Sequence, residues 1–242
     1  MELTKDFSGT IRDKYPDLVA WGGLPEGVQA ALREVGSALT VSQPEWFIPH
    51  ARVQSGARFS QVYIAADERL FLFDFWAHGV LLANGRTPHL TQMASAIDIW
   101  VTSGRSASQL AAAFKFVAVE PGADAYERGD EVEERWRSYL RDTGYPNLVP
   151  LVAAASHRPE LRELFPYTSM GSFHFSRCTG YPFTRDTPYV WPLGDDGYQV
   201  FSASGLVLGR GTAEEAIALV VANLPSPCGP AVRGTADDVA ST

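Results

Sequence analysis

The stretch LFPYTSMGSFHFSRCTGYPF, residues 164–183, holds five phenylalanines or tyrosines beyond Phe165, with one histidine, one arginine, one cysteine and several hydroxyls. Read as a strand from Gly171 to Cys178, it puts Phe173, Phe175 and Arg177 on one face and Ser172, His174 and Ser176 on the other. The phenyl face belongs to a core. The opposite face offers hydroxyls around one imidazole, the side chain whose ordinary pKa lies nearest neutrality. His174 is therefore either a proton mover or a residue of a solvated sheet face. Arg177, among aromatics at a strand end, either pairs with a carboxylate or anchors an anionic oxygen of a ligand. TGYP then reads as a turn, in which Tyr181 either lends a phenolic proton or packs.

A second constellation lies in RLFLFDFWAHG, residues 69–79. Alternation sets Phe71, Phe73 and Phe75 on one face and Leu70, Leu72, Asp74, Trp76 and His78 on the other. A carboxylate in so apolar a strand is costly unless paired, and burial raises its pKa. Two readings fit Asp74: an acid or base effective near neutral pH, or a salt bridge to Arg52 or Arg58. Dehydration and ring closure need such proton movers together with an apolar cavity. The expected catalytic set is Asp74, His174 and Arg177. Ser169 and Tyr181 are expected as hydroxyl partners, and Trp46, Tyr63, Trp76 and Tyr167 as cavity walls.

Other clusters point away from chemistry. In YERGDEVEERWRSYLR, Glu133, Arg137 and Arg141 step by four, as a solvated, charge-paired helix face does, so no metal site is expected there. Cys178 lies four strand residues from His174, roughly 13 Å, too far for a thiol pair. There is no P-loop, no G-x-G-x-x-G after a strand and no G-x-S-x-G. No cofactor is expected.

The elements that would carry these residues alternate in period. PEGVQAALREVG spaces Val28, Ala31, Leu32 and Val35 as one helical face, with Gly36 as its stop. EWFIPHARVQ, RFSQVYIAAD, RLFLFDFWAHG and GVLLANG predict an antiparallel meander. RTPHLTQMASAIDIWV predicts a helix with Thr87 as N-cap and Pro88 in its first position. SASQLAAAF adds a helix, FKFVAV a strand, and YERGDEVEERWRSYLR and NLVPLVAAASHRPELRELF more helix, broken near Pro159. GSFHFSRC, TPYVWPL, GYQVFSA and GLVLG return to strand. TAEEAIALVVANL closes with a Thr212–Glu215 capping box. The expected class is α+β, antiparallel sheets packed on helices in the order helix, meander, helices, meander, helix. Residues 1–224 read as one domain or as two sheet-plus-helix halves, 1–143 and 147–224. Residues 225–242 read as a mobile tail.

The chain has 242 residues and a net charge of −8, with arginine supplying most of the positive charge. That balance, without any basic run, argues against a nucleic-acid partner. Two cysteines make no disulfide framework. The charged N-terminal residues do not resemble a signal peptide, and no apolar run reaches membrane-spanning length. A cytoplasmic, soluble protein with a small-molecule partner is expected, its oligomeric state open.

LFPYTS and FSRCTGYP, with GRTPHLTQMASAIDIWV, ERGDEVEERWRSYL, PELRELFPYTS and TAEEAIALVVANLPSPCGPA in the same order, carry a resemblance over roughly residues 25–232. The chain resembles high-GC bacterial proteins of unknown-function domain type labelled "natural product biosynthesis" proteins. The resemblance implies a polyketide intermediate that loses water and closes a ring by Michael-type addition. The contrasting possibility is a non-catalytic module that binds a small molecule or covers a partner protein, as an immunity protein does.

Overall fold

The computed structural model describes residues 9–42, 50–194 and 197–240. It is an α+β fold with two antiparallel sheets. Two compact units divide the chain, one within Met1–Ala77 and Leu81–Asp124, the other within His78–Val80 and Ala125–Thr242. The main division between them falls at Asp124.

The first unit opens with helices α1 (Gly9–Lys14), α2 (Pro16–Trp21) and α3 (Leu24–Glu34). Strands β1 (Val41–Ser42), β2 (Ala51–Ser55), β3 (Arg58–Ile64), β4 (Phe71–Ala77) and β5 (Val80–Thr87) follow, then α4 (Leu90–Ser103), α5 (Ala107–Ala113) and β6 (Val117–Val119). The six strands pair in sequence order. Alternation in β4 sends Phe71, Phe73 and Phe75 into a core with Met93, Ile97 and Trp100 of α4. The Phe75 and Trp100 rings sit 5.7 Å apart. Arg58 does not reach Asp74. It donates to the carbonyls of Trp100 and Arg105, at 3.1 and 2.7 Å, at the end of α4.

The expected cap of α4 is displaced. Thr87 is the last residue of β5, and its Oγ1 accepts from His89 N at 3.3 Å, so the helix starts at Leu90. Proline at position 88 holds Thr87 extended, and strand pairing continues to the bond from Arg86 N to Phe116 O.

The second unit contains α6 (Ala123–Arg128), α7 (Glu131–Arg141), a 3-10 turn (Pro146–Leu148), α8 (Val149–Ser156) and α9 (Pro159–Arg162). Strands β7 (Phe165–Ser169), β8 (Ser172–Ser176), β9 (Tyr189–Pro192), β10 (Tyr198–Phe201) and β11 (Val207–Gly211) precede α10 (Ala213–Ala222) and α11 (Ala236–Ala240). The sheet order is β11-β10-β9-β8-β7. Phe173, Phe175, Val190 and Val200 face a core with Trp136, Leu151, Ile217 and Val220. Thr212 and Glu215 form the expected capping box. The helix expected over residues 126–141 is cut at Gly129, whose φ of 90° is left-handed.

Residues beyond Leu224 are tied down. Val232 bridges Cys178 in parallel, Val232 N donates to Arg177 O at 2.9 Å, and Ala231 N donates to Glu163 O at 2.8 Å. The expectation of a mobile tail fails here because backbone bonds, which leave no periodicity in a sequence, hold the segment. Among the described residues no helix is long and apolar enough to cross a membrane.

Candidate functional site

The sheet of the first unit has a second face, opposite α4, and its register gathers chemistry there. Arg52 of β2 is the Cα partner of Gln61 of β3, and Gln61 the partner of Asp74 of β4. The three side chains therefore form one polar row, continued by Asn84, which donates to Glu120 at 2.5 Å. Aromatic pairs flank the row. Phe59 and Trp76, also Cα partners, stack at 5.6 Å between centroids. Tyr63 and His50 stack at 5.5 Å on the other side. Tyr63 OH donates to Gln61 Oε1 at 3.3 Å, and Gln61 Nε2 lies 3.4 Å from His50 Nε2.

Charge on this face is left uncompensated. Asp74 makes no ion pair among the described residues. Burial raises its pKa, the negative charge of Glu120 adds to the rise, and the Trp76 indole opposes it. Burial also raises the Tyr63 pKa, with the charge of Asp74 second, so its phenol stays protonated near neutrality. A carboxyl shifted upward and exposed along one edge exchanges protons nearer neutral pH than an ordinary aspartate.

The second unit keeps a different arrangement. Tyr167, His174, Tyr189 and Phe201 come from four adjacent strands in register. Their rings stack at 4.9, 4.8 and 5.1 Å, and Phe183 joins Tyr167 at 4.4 Å. His174 thus sits between two tyrosine rings. Burial, with the Arg185 charge second, lowers its pKa to about 4, so the imidazole is neutral at physiological pH. Its Nε2 lies 2.6 Å from Ser172 Oγ, and that hydroxyl donates to Ser169 O at 2.5 Å. So weak a base, held by stacking, suits a structural position better than proton transfer at neutrality.

Arg177 points to the other side and pairs with Asp186, its Nε lying 2.8 Å from Oδ2. It forms an ion pair, the first of the two alternatives expected for it, through Nε and Nη2. Ser169 ends β7, where its carbonyl meets the Ser172 hydroxyl. Tyr181 is exposed and meets Phe183 edge-on at 6.1 Å. Cys178 is buried against Ser176 Oγ at 3.3 Å. The acidic helix is charge-paired, with Arg137 on Glu133 at 3.3 Å and Arg141 on Glu134 at 3.1 Å. Among the described residues no cluster of histidine, cysteine or carboxylates could hold a metal.

Of the expected site residues, Asp74, Tyr63 and Trp76 share one face of the first unit. His174 and Tyr167 share one face of the second, with Ser169 at its edge. Trp46 lies outside the described residues. Gln61, His50, Phe59 and Glu120 were not legible as site residues, and Arg52 was read only as a salt-bridge partner. An open groove of about 390 Å³ beside α3, lined by Trp21, Glu26, Gln29 and Arg33 among others, contains none of these residues.

A model described as "Family of unknown function (DUF6193)" matches residues 130–235. The matched segment covers the second unit's sheet and its aromatic row. No curated protein and no solved structure matches the chain.

Proposed function

We propose that this chain is a cofactor-independent acid–base catalyst that eliminates water from an apolar carbonyl compound and closes a ring on the product. The observation that carries the reading is Asp74: a carboxyl with no ion-pair partner among the described residues, its pKa raised by burial, set between Trp76 and Tyr63. The Asp74 carboxylate takes the proton from the carbon beside the carbonyl. The C–O bond to the β-hydroxyl breaks, a C=C bond forms, and the hydroxyl leaves as water with the proton Asp74 accepted. In ring closure a hydroxyl of the same chain adds its oxygen to the β-carbon, and its proton passes through Asp74 to the α-carbon. Phe59, Trp76 and Leu72 give the hydrocarbon an apolar wall, which favours the folded shape that ring closure needs.

The resemblance to proteins labelled for natural-product biosynthesis supports a polyketide as the substrate. A second reading, a non-catalytic module for a small molecule or a protein partner, draws on the aromatic row of the second unit, where no acid–base pair converges. Incubating the protein with linear β-hydroxy polyketide intermediates decides between them. The expected result is loss of one water and a cyclic product, with Asp74→Asn at least about a hundredfold slower and still folded. Binding without any change in substrate mass supports the module and sinks the catalyst.

A further inference from the structure

On the face that carries Asp74 stands a cation, Arg52, with no counter-ion among the described residues. Arg52 lies over Phe59, its Cζ 3.8 Å from the ring centroid. Its Nε is buried with no hydrogen-bond partner, and it makes no ion pair among the described residues. Burying an N–H without an acceptor costs free energy that an incoming oxygen recovers. Its Cα partners are Gln61, whose amide is engaged by Tyr63 and His50, and Ser42, whose hydroxyl donates to the Arg52 carbonyl at 3.4 Å.

We infer that Arg52 anchors the carboxylate of an apolar carboxylic acid whose chain runs along Phe59 and Trp76 toward Asp74. A guanidinium offers planar paired donors that match a carboxylate, and its contact with the Phe59 ring holds it on this face. A dianion such as a phosphate fits less well, because Asp74 and Glu120 occupy the same face and repel added negative charge. The inference rests on the acid–base reading for the location of the site, and it goes further in naming the substrate class. A free acid is the product of ester or thioester hydrolysis, so a hydrolytic release would supply this substrate.

Calorimetric titration of the full chain at neutral pH with decanoate, its methyl ester and decyl phosphate tests this without turnover. Decanoate is expected to bind at least about tenfold more tightly than the ester, as the loss of one charge-assisted hydrogen-bonded pair predicts. Arg52→Met should erase the difference, and Arg52→Lys should retain part of it. Equal affinity for acid and ester, no binding of either, tighter binding of decyl phosphate than of decanoate, or discrimination that survives in Arg52→Met overturns the assignment. Failure here leaves the water-loss assay untouched. Failure of that assay with discrimination intact leaves Arg52 as the anchor of a binding protein.

Discussion

Three ionisable side chains flagged in strands, Asp74, His174 and Arg177, have three different fates, and the cause in each case is the nearest neighbour. Arg177 found Asp186. His174 found two tyrosine rings. Asp74 found neither Arg52, which leans over Phe59, nor Arg58, which turns to the carbonyls at the end of α4. The two titrating groups leave opposite marks on stability. Between the ordinary carboxyl value of 3.8 and the raised folded value, the unfolded chain ionises Asp74 while the folded chain holds the proton, so stability falls as pH rises through that window. Asp74→Asn is therefore expected to melt higher than the parent at neutral pH, with the gain gone in acid below the ordinary value. His174 acts in reverse. Stability present above pH 6.5 drains as pH falls toward about 4, because only the unfolded imidazole accepts a proton in that window. His174→Phe, which keeps the stack, should flatten that part of the melting profile. A profile equally steep in the variant would contradict the buried, neutral imidazole.

At the scale of elements, alternation in β4 and β8 was readable because large phenyl groups repeat every second residue. Trp136 and Tyr139 of α7 follow the helical spacing for the same reason. What was not readable depends on partners distant in the chain. β7 looks like a loop with a proline until β8 pairs beside it, and the tail looks aperiodic until Cys178 and Glu163 meet it. The β7–β8 hairpin turns on Met170 and Gly171, with φ of 49° and 86°, a pair that favours Asn-Gly. Met170 is almost fully exposed, so Met170→Asn is expected to stabilise by about 0.5–1 kcal/mol, read as a rise of a few degrees in Tm. Gly85 of β5 faces the Phe73 ring so closely that any side chain must displace it. Gly85→Ala should cost about 1–3 kcal/mol, and an unchanged Tm would contradict the packing of β5 on that ring.

Across the whole molecule, a −8 chain divides into two units that each own a core and a sheet with one face turned from that core. The α+β class and the order of elements follow from periodicity alone. Which groups share a face depends on strand register, and register escapes a single sequence: Asp74 and Arg52 are 22 residues apart in the chain and one polar row in the fold. The unknown-function match covers the second unit, whereas the uncompensated charges lie in the first. Proton traffic at Asp74 can be read directly by mass spectrometry, as deuterium taken from heavy water into the α-carbon of a linear β-hydroxy polyketide acid. The parent protein should exchange that position, and Asp74→Asn should do so at least about a hundredfold more slowly while remaining folded. Equal exchange by both proteins, or water loss that proceeds unchanged in the variant, would contradict Asp74 as the group that moves the proton.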